Sequence, residues 1–193
     1  MAQSTGSKKI KTAVFISGAG SNLKSLIKFS KLKKSPISIN MVVSDNPKAQ
    51  GLNFAKIFKI EKKIFNLKKK RSDEKKLIFE LKKKGVNFIC LAGFMRILSK
   101  NFINNFDGKI LNIHPSLLPK YKGLNTHERA LKNKEKYSGC TVHLVNTKLD
   151  SGKIILQKKV LINKEESVKS LAKKILIQEH KLYPRAILKI FKL

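Results

Sequence analysis

Short apolar runs alternate along this chain with segments whose apolar residues recur at helical spacing, and this alternation constrains the fold most strongly. Residues 12–17 (TAVFIS) are β-branched and aromatic, and after a glycine-containing turn the apolar residues Leu23, Leu26 and Ile27 recur with the spacing of a helix face. Similar apolar runs occupy residues 37–44 and 86–91. Repeated strand–helix units favour a parallel sheet with right-handed crossovers, which brings the loops after the strands to one edge.

Two shorter apolar runs, residues 64–65 and 110–113, complete the predicted parallel part of the sheet. Between them, Ser72 is the expected N-cap of a helix that ends near Gly85. The last segment, residues 165–193, is expected to be helical with a break or kink at Pro184.

After residue 123 the pattern changes. A helix over residues 126–132 precedes two strand-like runs, residues 141–145 and 153–160, which are joined through the turn residues 150–152. These runs predict an antiparallel hairpin. The expected fold class is therefore α/β, with a Rossmann-like open, mostly parallel sheet, helices on both faces and an antiparallel hairpin at the C-terminal side.

Composition indicates one globular domain over residues 1–193, because 41% of the 193 residues are hydrophobic. Residues 1–9 are polar and small, and we expect them to be disordered or foreign to the fold. No run of about 18 apolar residues is present and the N-terminus has no secretory signal, so a cytoplasmic protein without membrane contact is expected. Cys90 and Cys140 lie in apolar runs without metal-ligand spacing, which predicts buried thiols and no metal site.

The formal net charge of +31 raises nucleic-acid binding as a hypothesis. However, only 4 of the 43 basic residues are arginines, the residue that favours base and phosphate recognition, and the lysines are spread over nearly every predicted helix. Solvated helix faces explain this distribution, so no specific nucleic-acid partner is expected. A nucleic-acid-binding protein remains a remote alternative.

The turn at residues 18–22 offers the backbone N–H groups of a helix N-terminus, which is a suitable place for a phosphate. Asp45 lies near the distance expected of a ribose-binding acid in a dinucleotide site, but Leu23 occupies the place of the third glycine. The pattern therefore favours a monophosphate, and an ordinary tight turn is the alternative.

A histidine follows the apolar run at residues 110–113, within the stretch HPSLLPKYKG (residues 114–123). Pro115 and Pro119 prevent this stretch from continuing as a regular strand or helix, so a shaped loop is expected where sites form in parallel sheets. Asn112 precedes His114, and Asp150 lies in a turn further along. An amide, an imidazole and a carboxylate suit a reaction in which an oxyanion forms and protons move, and the carboxylate is expected to raise the pKa of the histidine. His114 alone is equally compatible with a structural role.

The apolar loop at residues 93–98 follows the most buried predicted strand. Core packing explains its apolar residues, but a loop at the carboxyl end of a strand is also suited to wall a flat aromatic ligand.

These motifs together resemble the folate-dependent phosphoribosylglycinamide formyltransferases of purine synthesis, over about residues 12–183. The motifs are ISGAGSNL, VVSDNPKAQGL, LAGFMRIL, NIHPSLLPKYKGLNTHERAL, GCTVHLV and LDSGKIILQ. The resemblance implies that a formyl group passes from the cosubstrate 10-formyltetrahydrofolate to the amine of phosphoribosylglycinamide, without a metal. The implied ribonucleotide contacts are Gly20, Ser21, Asn22, Gly93 and Glu179. The implied folate contacts are Lys70, Met95, Arg96, Ile97, Leu98 and Asn112, with Arg71 as an alternative to Lys70.

The implied catalytic residues are Asn112, His114 and Asp150. Asn112 and His114 are expected to stabilise a tetrahedral intermediate, and Asp150 to raise the pKa of His114. Formyltetrahydrofolate hydrolase or another folate formyltransferase is the alternative. We expect neither the C-terminal RNA-binding domain of methionyl-tRNA formyltransferases nor the N-terminal regulatory domain of the hydrolases, since residues 1–193 supply no segment for them. Small-molecule substrates and a monomer or weak homodimer are expected.

Overall fold

The computed structural model describes residues 9–65 and 70–192, without the side chains of Lys70 and Arg71. In these residues a seven-stranded sheet has the order β3-β2-β1-β4-β5-β6-β7. Its strands are β1 (Ile10–Ile16), β2 (Ile37–Ser44), β3 (Glu61–Ile64), β4 (Phe88–Leu91), β5 (Lys109–His114), β6 (Tyr137–Leu144) and β7 (Ile154–Leu161). The helices are α1 (Ser21–Ser30), α2 (Leu52–Ile57), α3 (Lys70–Lys83), α4 (Lys100–Asn105), α5 (Thr126–Lys132) and α6 (Val168–Ile190).

The strand directions confirm the predicted fold class. The pairs β1–β2, β2–β3, β1–β4 and β4–β5 are parallel, whereas β6 pairs antiparallel with both β5 and β7. Strand β1 lies between β2 and β4, so the order of the strands reverses at its carboxyl end. Open sheets bind ligands in the crevice that such a reversal creates.

Alternate residues of the central strand pack into two separate cores, one on each face of the sheet. Val14 and Ile16 contribute to the core that contains buried residues of α1 and α6. Ala13 and Phe15 contribute to the core that contains buried residues of α3 and α4. This two-residue period places helices on both faces, as the sequence predicts.

Tyr183 ties α6 to the sheet beneath the crevice. Its ring is fully buried, and its hydroxyl is 3.0 Å from the carbonyl oxygen of Leu91 and 2.9 Å from that of Leu111. Burial holds the pKa of the Tyr183 hydroxyl well above its usual value, so the group stays a hydrogen-bond donor. These contacts tie α6 to the end of β4 and to β5 at the residue before Asn112.

Two helix predictions are wrong in detail. Helix α3 begins at Lys70, so Ser72 lies inside the helix and is not its N-cap. Helix α6 continues through Pro184 without a break. A proline inside a helix leaves the carbonyl four residues earlier without its usual N–H, and here the Ser25 hydroxyl donates to that carbonyl, His180 O, at 3.1 Å.

The N-terminal prediction falls almost entirely on residues 1–8, which lie outside the described residues. Lys9 is described, and its Nζ donates to the carbonyl oxygen of Ser30 at 2.7 Å. The prediction of buried thiols is confirmed, since Cys90 and Cys140 are buried and unpaired. Among the described residues, no helix combines the length and the apolar character needed to cross a membrane.

Candidate active site

A cavity of about 930 Å³ opens at the carboxyl ends of β1, β4 and β5. Its volume falls within the usual range for small-molecule sites. Every predicted site residue whose side chain is described lines this cavity. These residues are Gly20, Ser21, Asn22, Gly93, Met95, Arg96, Ile97, Leu98, Asn112, His114, Asp150 and Glu179. The side chain of Lys70 lies outside the described residues, so its predicted folate contact stays a prediction.

Asn112 is held by a histidine on the neighbouring strand. His143 lies opposite Asn112 in the antiparallel pair β5–β6, and its Nε2 is 3.2 Å from Asn112 Nδ2. The Nδ1 of His143 is 2.9 Å from the Leu144 carbonyl oxygen, so Nδ1 carries the hydrogen. In the neutral ring, Nε2 then accepts from the Asn112 amide. This contact uses one N–H of the amide and leaves the second for a ligand in the cavity.

His114 is buried at the end of β5 with a polar group at each ring nitrogen. Its Nε2 is 2.9 Å from the carbonyl oxygen of Tyr121, which requires Nε2 to be the donor. Its Nδ1 is 3.5 Å from Asp150 Oδ2. The proton that His114 gains or loses is therefore the one on Nδ1, beside the carboxylate.

Asp150 connects both histidines to the loop after β5. Its Oδ2 accepts from the Gly123 N–H at 2.9 Å, and its Oδ1 is 3.6 Å from His143 Nε2. Burial raises the pKa of Asp150, but the interaction with His143, the Gly123 N–H and the neighbouring histidine charges together outweigh it, and the net pKa is lowered. Asp150 is therefore ionised at neutral pH.

The net pKa of His114 is lowered, whereas the sequence predicts that Asp150 raises it. Burial lowers this pKa below its usual value of 6.5, with smaller contributions in the same direction from His143 and Arg129. The Tyr121 carbonyl and the charge of Asp150 raise it, as expected of Asp150, but burial outweighs them. The charged imidazole loses hydration on burial, and this cost exceeds the stabilisation that the Tyr121 carbonyl and the Asp150 carboxylate give to the charged form. The resting form of His114 at neutral pH is therefore the neutral ring.

The turn before α1 forms a second polar end of the cavity. Gly20 adopts φ 74° at the N-cap of α1, a left-handed conformation that favours glycine. Asn22 Nδ2 donates to Glu179 Oε2 at 2.7 Å, and burial raises the pKa of Glu179 to about 6. Asn22 Oδ1 is buried without a partner among the described residues. Free backbone N–H groups at the helix N-terminus and an unsatisfied amide oxygen suit a phosphorylated, hydroxyl-bearing ligand.

The apolar wall of the cavity is the segment 93–98, called the donor loop below. Met95 and Ile97 are 62% and 63% exposed, whereas Leu98 is buried in the core. Exposed apolar side chains beside a cavity are typical of ligand sites. Arg96 Nε donates to Asp45 Oδ2 at 3.0 Å, so the carboxylate of Asp45 binds this loop.

Sequence reasoning missed the groups that orient the predicted triad. His143 could have been found from the sequence, because the register of β6 against β5 places it opposite Asn112 and strand alternation then points both side chains to the same face. The Tyr121 carbonyl and the Gly123 N–H are backbone groups, which carry no side-chain signature. No group of three or more His, Cys, Asp or Glu in the described part of the chain is placed to hold a metal ion.

Comparison with known proteins shows what this arrangement is similar to. Residues 10–187 match the model of a family described as formyl transferase. The human trifunctional purine biosynthetic protein adenosine-3 is 41% identical over 183 residues, which cover 93% of this chain and 18% of the human protein. The chain thus spans only 13–18% of the length of the trifunctional relatives that it matches. The phosphoribosylglycinamide formyltransferase of Haemophilus influenzae is 42% identical over 92% of this chain and 85% of that protein.

Solved structures agree with this relationship. The crystal structure of phosphoribosylglycinamide formyltransferase from Brucella melitensis has a TM-score of 0.89 and 41% sequence identity, and the match covers 95% of this chain and 96% of that chain. The phosphoribosylglycinamide formyltransferase from Bacillus halodurans has a TM-score of 0.89 at 34% identity, covering 93% and 94% of the two chains.

Proposed function

This chain belongs to the phosphoribosylglycinamide formyltransferases of the formyl transferase family, and on that premise we propose that it transfers a formyl group from 10-formyltetrahydrofolate to the amine of phosphoribosylglycinamide. The observation that carries the proposal is the position of Asn112, His114 and Asp150 in one cavity, between the turn before α1 and the donor loop. Such a cavity has room for two small molecules that meet at the triad.

The residues at each end of the cavity fit the two substrates. The N–H groups of Ser21 and Asn22 and the buried carboxylate of Glu179 suit the phosphate and the hydroxyl groups of a ribonucleotide. The apolar side chains of the donor loop suit a flat heterocycle, and the backbone N–H and C=O groups of the loop would hydrogen-bond to the polar atoms at the edge of that ring. We assign the first end to the ribonucleotide and the second to the formyl donor.

The neutral state of His114 defines its part in the reaction. As the substrate amine forms a bond to the formyl carbon, His114 Nδ1 accepts the proton that the amine loses, directly or through water. The imidazolium so formed is stabilised by Asp150, 3.5 Å away. It then returns the proton to the donor nitrogen as the bond between that nitrogen and the formyl carbon breaks. Charge is thus balanced without a covalent bond to the protein.

The Asn112 amide donates to the oxygen of the tetrahedral intermediate, and the positive charge of protonated His114 stabilises the negative charge that develops there. Asn112 has the orientation to donate because His143 holds the other N–H of its amide. Loss of one such donor typically costs about 2.7–4 kcal/mol in the transition state, or a hundredfold to a thousandfold in kcat.

The test is to follow the release of tetrahydrofolate when the protein is mixed with phosphoribosylglycinamide and 10-formyltetrahydrofolate. We expect kcat to fall at least a hundredfold in Asn112→Ala, His114→Ala and Asp150→Asn. The matched control is Asn105→Ala, which removes an exposed amide on α4 that contacts Asn101. Losses below tenfold in all three variants would refute the assignment, since acid–base help alone is usually worth a factor of about 10²–10⁴.

The same assay separates transfer from hydrolysis. A hydrolase releases formate at the same rate with and without phosphoribosylglycinamide, whereas the proposed enzyme requires the ribonucleotide for turnover. Rapid formate release without the ribonucleotide would favour the formyltetrahydrofolate hydrolase alternative.

We further propose that the chain acts as a single domain, as a monomer or weak homodimer, in the cytoplasm. The two free, buried cysteines are consistent with a reducing compartment. Gel filtration with light scattering at several protein concentrations tests the oligomeric state.

A further inference from the structure

We propose that Asp45 and Glu74 are positioning residues that hold the two ends of the donor loop (residues 93–98) in the conformation that receives the formyl donor. This inference rests on the proposed function. Both carboxylates come from elements outside the loop, Asp45 from the segment after β2 and Glu74 from α3.

Asp45 holds the first half of the loop through two contacts. Its Oδ1 accepts from the Ser17 hydroxyl at 2.5 Å, and the Ser17 oxygen in turn accepts from the Met95 N–H at 2.8 Å. Its Oδ2 accepts from Arg96 Nε at 3.0 Å. One carboxylate thereby sets both the backbone at Met95 and the direction of the Arg96 side chain.

Ser17 closes this end of the loop. Its backbone N–H donates to the Gly93 carbonyl oxygen at 3.0 Å, while its hydroxyl oxygen accepts from Met95. The loop is therefore bound on both sides of Phe94. Without Asp45, the Ser17 hydroxyl loses its acceptor and is free to rotate.

Glu74 holds the other end of the loop. It is fully buried, and its Oε1 accepts from the Ser99 N–H at 2.9 Å while its Oε2 accepts from the Ser99 hydroxyl. The Ser99 oxygen also accepts from the Phe102 N–H at 3.0 Å, which caps α4. A buried carboxylate is tolerated only when it is hydrogen-bonded, and Ser99 supplies two donors.

Leu98 packs into the core, but the side chains of the donor loop that face the cavity contribute little packing to its conformation. Met95 and Ile97 are about two-thirds exposed. A loop that is ordered before binding does not lose its conformational freedom on binding, so anchors of this kind increase affinity without taking part in chemistry. Weakening them should therefore affect binding of the formyl donor and leave the triad unchanged.

The test compares Asp45→Asn and Glu74→Gln with wild type in steady-state formyl transfer. Each variant keeps the size of the side chain but converts one acceptor into a donor. We expect the KM for 10-formyltetrahydrofolate to rise about tenfold, equivalent to about 1.4 kcal/mol, with kcat and the KM for phosphoribosylglycinamide within twofold. The matched control is Glu80→Gln, also on α3, whose carboxylate pairs with Lys63 at the surface and should change none of these constants.

Ser17→Ala is the second variant for the first anchor, and it should show the same rise in donor KM because it removes the acceptor for the Met95 N–H. Thermal unfolding establishes that each variant is folded. Folded variants with a donor KM within twofold of wild type would overturn the inference, as would a loss confined to kcat. These outcomes require an active wild type, so an inactive wild type refutes the proposed function instead.

Discussion

The contact between Gly51 and the turn before α1 predicts how the ribonucleotide end of the cavity depends on a residue outside it. The Gly51 N–H donates to the Gly18 carbonyl oxygen at 3.0 Å. A Cβ placed on Gly51 would lie 2.9 Å from Gly20 Cα, 3.2 Å from Gly18 O and 2.6 Å from a methyl group of Ile16. Two of these neighbours are backbone atoms and the third is in the core, so Gly51→Ala must displace the turn.

The expected magnitude follows from these distances. Inserting a methyl group into a packed site costs about 1–3 kcal/mol. Alanine also restricts the unfolded chain, which returns about 0.4–1 kcal/mol where the backbone conformation is allowed, as it is at φ −57° for Gly51. Gly18→Ala reports this second effect alone, because a Cβ on Gly18 meets no atom within 4 Å.

The assay is thermal unfolding of both variants, followed by steady-state kinetics. We expect Gly51→Ala to melt below Gly18→Ala by about 2–4 °C for each kcal/mol of steric cost. Because Gly20 moves with the turn, the KM for phosphoribosylglycinamide should rise in Gly51→Ala while the KM for 10-formyltetrahydrofolate stays near the wild-type value. A Gly51→Ala protein that melts with Gly18→Ala and keeps its ribonucleotide KM would refute the reasoning.

Two predictions concern pH. Because burial holds the pKa of His114 below 6.5, kcat/KM should be level near neutral pH and fall only below pH 6.5, as Nδ1 becomes protonated; an acid limb centred above pH 7 would contradict this. Burial raises the pKa of Glu179 from 4.5 to about 6, so wild type should lose about 2 kcal/mol of unfolding free energy as pH rises between these values. The free energy of unfolding of Glu179→Gln, measured by urea unfolding over the same pH range, should not show this loss. If the free energy of unfolding depended on pH equally in both proteins, the prediction would be contradicted.

The centre of the sheet was predictable because its strands are apolar on both faces. Strand β2 occupies the predicted residues 37–44, and β4 is buried throughout. The edge strand β3 was predicted at residues 64–65 but spans Glu61–Ile64, because its residues are mostly charged and exposed and give no apolar signal. Helix ends were less predictable, since capping signals compete. Ser72 has the side chain of an N-cap, but α3 begins at Lys70. Pro184 has the signature of a helix end, but α6 continues through it, with the freed carbonyl of His180 accepting from Ser25 and with buried residues on both sides of the proline.

That Asn112 and His114 share one cavity was predictable for a different reason. Asn112 and His114 are two residues apart at the carboxyl end of a parallel strand, so strand alternation places both side chains on the same face at the ligand-binding edge. Asp150 is far away in sequence, so its turn could be proposed as part of the same site but its catalytic role followed only from the resemblance. For Asp45 the sequence pattern was misleading. Its spacing fits a ribose-binding acid, but its carboxylate binds Ser17 and Arg96.

The environment of His114 was beyond sequence reasoning because it depends on backbone groups in strained conformations. Tyr121 adopts φ 56° and Asp150 φ 42°, left-handed values that cost a non-glycine residue about 1–3 kcal/mol. These conformations bring the Tyr121 carbonyl to Nε2 and the Asp150 carboxylate to the opposite side of the ring. Local preference alone would relax both residues. The strain therefore persists because the hydrogen bond from Gly123 to Asp150 and the packing of β5 against β6 stabilise the site as a unit, and no single segment carries that information.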